Sequence, residues 1–428
     1  MPTPSYSLSL IIVSDKEFNN WSELLPGVRT TLETLELTYE ILVVAPQPDR
    51  NAGEVIEGNG CTLITSSAEN YGVLLRAAIH QAAGDYIMTI DADQSQPADL
   101  ISRLWRARET AEIILGSRYV QGGTAEMPIA RKLLSRFSNL LFSRGLDLHV
   151  RDMSSAFRLY KSQVIKTLRL ESQDYEILQE ILVRALMAGY RIAEIPFHYQ
   201  SNNAAYSRAT HFGWSYLRTF GRLWKLRNSI ASADYDARAY DALMPPQRYW
   251  QRQRYKIITS LIKENGQNAR VVDVGCGSSR IIGALPEGSF VLDILIRKLR
   301  YARRFGKPVV QGSIFNLPVP NESFPCVLCS QVIEHIPRAN VLDELDRVLQ
   351  PGGFLILGTP DYDNWEWLVI EWLYKVLLPQ AYADEHITHY TYRELVQEFV
   401  SKRGYKLESA RYILKGELIL GLRKPSDQ

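Results

Sequence analysis

The chain predicts two α/β domains in tandem, each built on a doubly wound sheet with helices on both faces. Three observations carry that expectation. Apolar segments of strand length alternate with helical stretches through the first half. A second series of the same kind begins at Val271, opened by a glycine turn. Finally, 428 residues exceed what the second series alone would build, leaving a first half long enough for a core of its own.

In the first half, residues 8–13, 39–44 and 86–90 read as strands, short apolar runs bounded by polar turns. Helical stretches at 22–37 and 71–83 separate them, so the strands run parallel and a ligand is expected beyond their carboxyl ends. Asp91 and Asp93 lie at that edge. Two apart in an extended segment, they point the same way and can hold a hard divalent cation, which neutralises a diphosphate.

In the second half, Val271-Val272-Asp273-Val274-Gly275-Cys276-Gly277 is an apolar strand running into a glycine turn. Gly275 and Gly277 let backbone approach a ligand, and Asp293, about 20 residues past Asp273, can accept hydrogen bonds from a ribose diol. The spacing fits an adenosine-bearing cofactor, while the third glycine of the dinucleotide fingerprint is missing. Further on, the strand 326–329 runs into Ser330-Gln331-Val332-Ile333-Glu334-His335-Ile336. A helix at 342–349, the turn Pro351-Gly352-Gly353 and a strand at 354–357 follow. The domains are accordingly placed at 1–228 and 250–424, with 229–249 as linker or cap.

The stretch 213–241 is rich in aromatics and arginine, with Trp214, Tyr216, Phe220 and Trp224 among Arg218, Arg222, Lys225 and Arg227. It suits either a membrane interface or packing between domains. The helical spacing of Leu217, Phe220, Leu223 and Trp224 favours packing.

Composition is that of an ordinary globular chain, 46% hydrophobic and 22% charged with net charge +2, which excludes a broad electrostatic partner such as nucleic acid. The four cysteines, at 61, 276, 326 and 329, fit a reducing compartment. Cys326 and Cys329 have CxxC spacing, but within one strand they point to opposite faces, against a metal or redox role. Neither a signal peptide nor an apolar run of about 18 residues is found, so a cytoplasmic chain is expected, with the inner face of the membrane as the surface it could touch.

The second half resembles class I S-adenosylmethionine-dependent methyltransferases, with "LQPGGFLILGTP" matching their fifth strand. That resemblance implies a Rossmann-like fold in which Asp273 faces the methionine end of S-adenosylmethionine and Asp293 binds its ribose, with Gly275, Gly277 and Gln331 in the cofactor cleft. After the third strand, Gly312-Ser313 stands where the family often has an acid near the adenine amine, and Ser313 is the candidate substitute. In related O-methyltransferases a histidine in the insertion after the fifth strand lies near the acceptor. His386 and His389 match it, as acceptor bases or as structural side chains.

The first half resembles family 2 glycosyltransferases of the GT-A fold, particularly the polyprenyl-phosphate sugar synthase branch. "GDYIMTIDADQSQPADL" carries the resemblance, with Ile113 to Tyr119, Asp152-Met153-Ser154-Ser155-Ala156-Phe157-Arg158, Glu194-Ile195-Pro196 and Tyr206-Ser207-Arg208 following in order. By it, Asp91 contacts the donor nucleotide, Asp91 and Asp93 the metal (Mg2+ or Mn2+), and Arg118 and Arg208 the phosphates. Two segments depart from the family. Ser14-Asp15-Lys16-Glu17 keeps only the donor-side Glu17, and the second strand ends in Ala45-Pro46-Gln47 instead of paired aspartates. For a hydroxyl acceptor the base is Asp174; a lipid phosphate needs none, and Glu180 then matches the family's helix acid. Asp174 reads equally as a solvated helix residue. Together the two halves imply a bifunctional enzyme that takes a nucleotide sugar donor and a lipid-linked or saccharide acceptor, then methylates a glycan or lipid product. The alternative is a methyltransferase whose first domain only binds saccharide.

Overall fold

The computed structural model describes residues 6–14, 20–46, 48–92, 97–200, 213–242, 245–266, 269–377 and 386–426. The chain divides into two compact units, the first comprising 1–186 and 190–227, the second 187–189 and 228–428. Residues 229–249 thus fall within the second unit.

The first unit holds β1 (Leu8–Val13), β2 (Tyr39–Pro46), β3 (Thr62–Ser66), β4 (Tyr86–Asp91), β5 (Ile113–Ser117), β6 (Thr124–Glu126), β7 (Arg158–Lys161), β8 (Ile192–Pro196) and β9 (His198–Gln200). Seven form one sheet in the order β3-β2-β1-β4-β7-β5-β8, with β6 and β9 paired apart. β1 to β4 are parallel, and the apolar runs of β1, β2 and β4 fit a sheet covered on both faces, while β3, Thr-Leu-Ile-Thr-Ser, is a partly exposed edge strand. The helices Trp21–Glu33 and Tyr71–Gln81 lie between them in sequence. The sheet is not uniformly parallel, however. β7 pairs antiparallel with both β4 and β5, so the first sheet is mixed.

The second unit contains β10 (Val271–Val274), β11 (Phe290–Asp293), β12 (Val309–Gln311), β13 (Phe324–Ser330), β14 (Leu349–Pro360), β15 (Lys406–Ile413) and β16 (Glu417–Arg423). Their order is β12-β11-β10-β13-β14-β16-β15, parallel except for β16 between β14 and β15. Two separate cores cover its faces. Cys329 lies in one with Val272, Leu355 and Leu420, and Cys326 in the other with Val271, Ile356 and Ile419. The two thiols are therefore buried on opposite faces and free.

The helix Gly213–Arg227 departs from the expected register. Leu217 and Trp224 are exposed, while Thr219, Leu223 and Arg227 are buried. Arg227 enters this inward face because its guanidinium donates to the carbonyls of Leu146 and Asp147. A longer apolar stripe is exposed on the helix Ile129–Gly145, where Ile129 is 77%, Leu133 62% and Phe137 64% accessible. Among the described residues, no helix is long and apolar enough to cross a membrane.

Candidate functional site

In the first unit the carboxyl edge of the sheet brings Asp91 next to an aromatic pair. Asp91 ends β4 half-buried and accepts a 3.2 Å hydrogen bond from the Tyr71 hydroxyl. Tyr71 stacks on Tyr175 at 4.3 Å between ring centroids. Asp174, the preceding residue, is half-buried and accepts from the Tyr175 amide at 3.0 Å; burial pushes its carboxyl above the usual range. The close approach is built at Gly72, where an added Cβ would lie 2.8 Å from the backbone of Ser172 and Gln173. Neither tyrosine was singled out from the sequence, where a lone tyrosine at a helix start carries no chemical signature.

The charged residues behind this edge are committed to one another. Asp152, fully buried, accepts from Arg118 Nε at 2.8 Å, Nη2 at 2.7 Å and the backbone amide at 2.9 Å. The Arg118 fork expected for phosphate is therefore occupied by Asp152. Glu180 is also fully buried, accepting from the amides of Glu171 (3.0 Å) and Ser172 (2.7 Å) and from Arg184 Nε (2.7 Å). Burial alone would raise its pKa, but these donors hold the carboxyl below the usual range. Glu180 is thus an anchor for the segment leading to Asp174, not a group presented to solvent. Glu17, Asp93 and Arg208 lie outside the described residues.

The second unit gathers its expected residues more completely. Asp273, Gly275, Gly277, Asp293, Ser313, Gln331 and His386 all line one cavity of about 570 Å³. Gly275 and Gly277 have φ of +73° and +54°, and a Cβ on Gly275 would stand 2.3 Å from Val332. The glycines thus leave a cradle that any side chain would fill. Asp293 accepts from the amides of Gly277 (2.9 Å) and Leu295 (2.8 Å). Asp273 is buried, and burial together with Asp293 pushes its carboxyl up to about 8. Gln331 is held at φ +59°, and its buried amide nitrogen has no hydrogen-bond partner among the described residues. Strained backbone, an unpartnered donor and a glycine cradle at one wall fit a polar, adenosine-sized ligand.

Residues not anticipated complete the walls. Asp236, in the helix Tyr235–Asp241, accepts from the Ser278 amide (3.1 Å), the Ser278 hydroxyl (2.9 Å) and Lys298 Nζ (3.2 Å). Trp250, Arg254 and Trp367 also line the cavity. At its far end His386 Nδ1 is 2.6 Å from the Tyr362 hydroxyl, and its ring is 4.8 Å from that of His335. Glu334 is fully buried beside them, and burial pushes its carboxyl up to about 7. His389 does not join this wall. It is exposed, stacked on Tyr362 at 4.1 Å.

The comparisons with known proteins divide along the same line. Residues 9–169 match the family model for glycosyl transferase family 2, and residues 272–357 that for a methyltransferase domain. The chain is similar to a dolichol-phosphate mannosyltransferase of Pyrococcus furiosus, 30% identical over 52% of this chain and 65% of that protein. It is also similar to an undecaprenyl-phosphate mannosyltransferase of Micrococcus luteus, 31% identical over 26% of this chain and 48% of that protein. The chain thus spans less than two thirds of the length of these relatives. A solved glucosyl-3-phosphoglycerate synthase from Mycobacterium tuberculosis superposes with a TM-score of 0.43 at 12% identity, over 51% of this chain and 78% of that one. The chain therefore carries a segment that matches glycosyl transferase family 2, followed by one that matches a methyltransferase domain.

Proposed function

We propose that the first domain transfers a sugar from a nucleotide donor to a lipid-linked acceptor and that the second methylates the glycan or lipid product with S-adenosylmethionine. The observation that carries the second half is the convergence of seven expected residues on one cavity. Bound there, S-adenosylmethionine supplies an electrophilic methyl group. The chain's own part is placement: Asp293 offers carboxylate oxygens to a ribose diol, the glycine turn admits the cofactor, and Asp273 balances its ammonium. Methyl transfer depends mainly on such alignment.

In the first domain, Asp91 and Asp93 would hold Mg2+ or Mn2+ at the carboxyl edge of the sheet. The acceptor is taken to be a polyprenyl phosphate. An anionic phosphate needs no general base, which accords with Glu180 being locked among arginines. The names of the two mannosyltransferases support the same class. The exposed stripe of Ile129, Leu133, Leu134, Phe137 and Leu140, flanked by Arg136 and Arg144, suits contact with an anionic membrane surface where such an acceptor resides. Joining both activities in one chain keeps the second near its substrate.

A second reading, in which only the methyltransferase acts and the first domain binds saccharide, is favoured by the closed Arg118–Asp152 pair. Incubating the protein and its Asp93→Ala variant with labelled UDP- and GDP-sugars, Mg2+ or Mn2+ and mixed polyprenyl phosphates separates the two. Metal-dependent label extracted into organic solvent, and lost in the variant, is the expected result. Absence of both transfer and nucleotide-sugar binding would leave the second reading standing.

A further inference from the structure

The far wall of the methyltransferase cavity holds three side chains that the cofactor does not account for. One donor atom each from Glu334, His335 and His386 lies within 4.8 Å of the other two. His335 and His386 line the cavity, with Glu334 fully buried beside them. A carboxylate shut away from bulk solvent requires donors or a cation. Yet Glu334 Oε1 has no hydrogen-bond partner among the described residues, and Oε2 receives one 3.3 Å bond from Thr359 Oγ1. Arg254, which also lines the cavity, is held by Glu417 at 2.6 Å.

The surroundings of the three fix their orientation. The Glu334 carbonyl accepts from the amides of Ile387 (2.8 Å) and Thr388 (3.0 Å), tying the strand exit that bears Glu334 and His335 to the segment that bears His386. The Tyr362 hydroxyl lies 2.6 Å from Nδ1 of His386 and fixes the orientation of that ring. Neighbouring donors each about 2.1 Å from one ion lie about 3.0–3.4 Å apart in an octahedral or tetrahedral shell, so closing on a cation asks the widest pair to approach by about 1.4 Å or more, shared between two side chains.

We infer that Glu334, His335 and His386 form a divalent transition-metal site at the acceptor end of the cavity, whose open positions take the hydroxyl to be methylated and a neighbouring oxygen of the same substrate. Two imidazoles and one carboxylate select Mn2+, Fe2+, Co2+, Ni2+ or Zn2+ over Mg2+ or Ca2+. The substrate class is accordingly a vicinal diol or hydroxy-acid unit, as sugars present. The metal-bound hydroxyl loses its proton to water more readily. Its oxygen then bonds the methyl carbon while the carbon–sulfur bond breaks, the electron pair staying on sulfur. This substrate role rests on the methyltransferase reading above; occupation of the metal site does not.

The full chain carrying Asp93→Ala, which removes the metal site proposed for the first domain, is stripped with a chelator and titrated with Co2+ and Zn2+ by calorimetry and by Co2+ visible absorption. One equivalent should bind, with Mg2+ unable to replace it. Adding His386→Ala or Glu334→Gln should weaken it at least a hundredfold, and Tyr362→Phe, the milder change, about tenfold to a hundredfold. S-adenosylmethionine binding, measured alongside, reports folding. Equal Co2+ affinity with and without His386 and Glu334 would overturn the site. Should His386→Ala unfold, Tyr362→Phe decides, an unchanged affinity overturning the proposal. Cation binding without S-adenosylmethionine binding in the parent chain would strike the methyltransferase reading while leaving the site in place.

Discussion

Two aspartates at the carboxyl edges of two sheets, Asp91 and Asp273, meet opposite surroundings. Asp91 is half-buried and already bonded to Tyr71, and the charges behind it are satisfied within the fold, Arg118 by Asp152 and Glu180 by Arg184. Asp273 is buried beside a second carboxylate, Asp293, next to an amide nitrogen of Gln331 with no partner among the described residues. The lesson is about where electrostatic work is stored. In the first domain arginines and acids hold loops in place, whereas in the second Asp273 faces a like charge and the Gln331 amide nitrogen has no partner among the described residues.

The largest effect that would break this contrast concerns Glu180. Glu180→Ala removes the fully buried carboxylate that accepts from the amides of Glu171 and Ser172 and from half-buried Arg184 and Arg222, which keep only the Glu171 carboxylate, and is expected to destabilise the first domain by about 3–5 kcal/mol in chemical denaturation. A variant that folds normally and loses only sugar transfer would make Glu180 catalytic after all. Next in size, Asp293→Ala removes charged acceptors for the cofactor ribose and should weaken S-adenosylmethionine binding by about 1.5–3 kcal/mol in calorimetry. Unchanged affinity would sink the cofactor assignment. The contrast sharpens with pH, because Asp273 is protonated below about 8 in the unliganded protein. A cationic ligand must displace that proton, so affinity should rise between pH 6 and 7 by up to about tenfold, or 1.4 kcal/mol. Asp273→Asn should flatten the profile. The same raised pKa makes the unliganded domain lose stability as pH climbs from the ordinary carboxylate range towards 8, since the unfolded chain ionises freely. Smallest of all, His389→Ala, at an exposed position, should change cofactor binding by less than about 0.5 kcal/mol.

Much of this arrangement was legible in the residues themselves. Uninterrupted apolar runs announce buried parallel strands, and Gly275 and Gly277 sit where the backbone needs positive φ, so the first strands of each sheet and the cofactor turn could be read directly. β7 could not. Its first residue, Arg158, is fully buried because its guanidinium donates to the carbonyls of Ser155, Leu178 and Met153, and no hydropathy pattern reveals such partners. Arg227 hid the inward face of its helix for the same reason. The Glu334–His335–His386 grouping escaped notice because its members come from separate segments, joined by the backbone bonds from Ile387 and Thr388 to Glu334 and by the Thr388 hydroxyl on the Ile336 carbonyl. Arg118 failed differently: its residue type suited phosphate, but the carboxylate that claims it lies in a separate segment.

Asp236 carries a consequence for modularity. The match to the methyltransferase family starts at Val272, and a fragment cut to begin at 250 would retain every strand of the second sheet. It would nonetheless leave Ser278 and Lys298 without the carboxylate that bonds both, beside the glycine turn of the cavity. The part of the chain that completes this cavity is therefore longer than its recognisable sequence, and it extends upstream at least to the helix that opens with Tyr235.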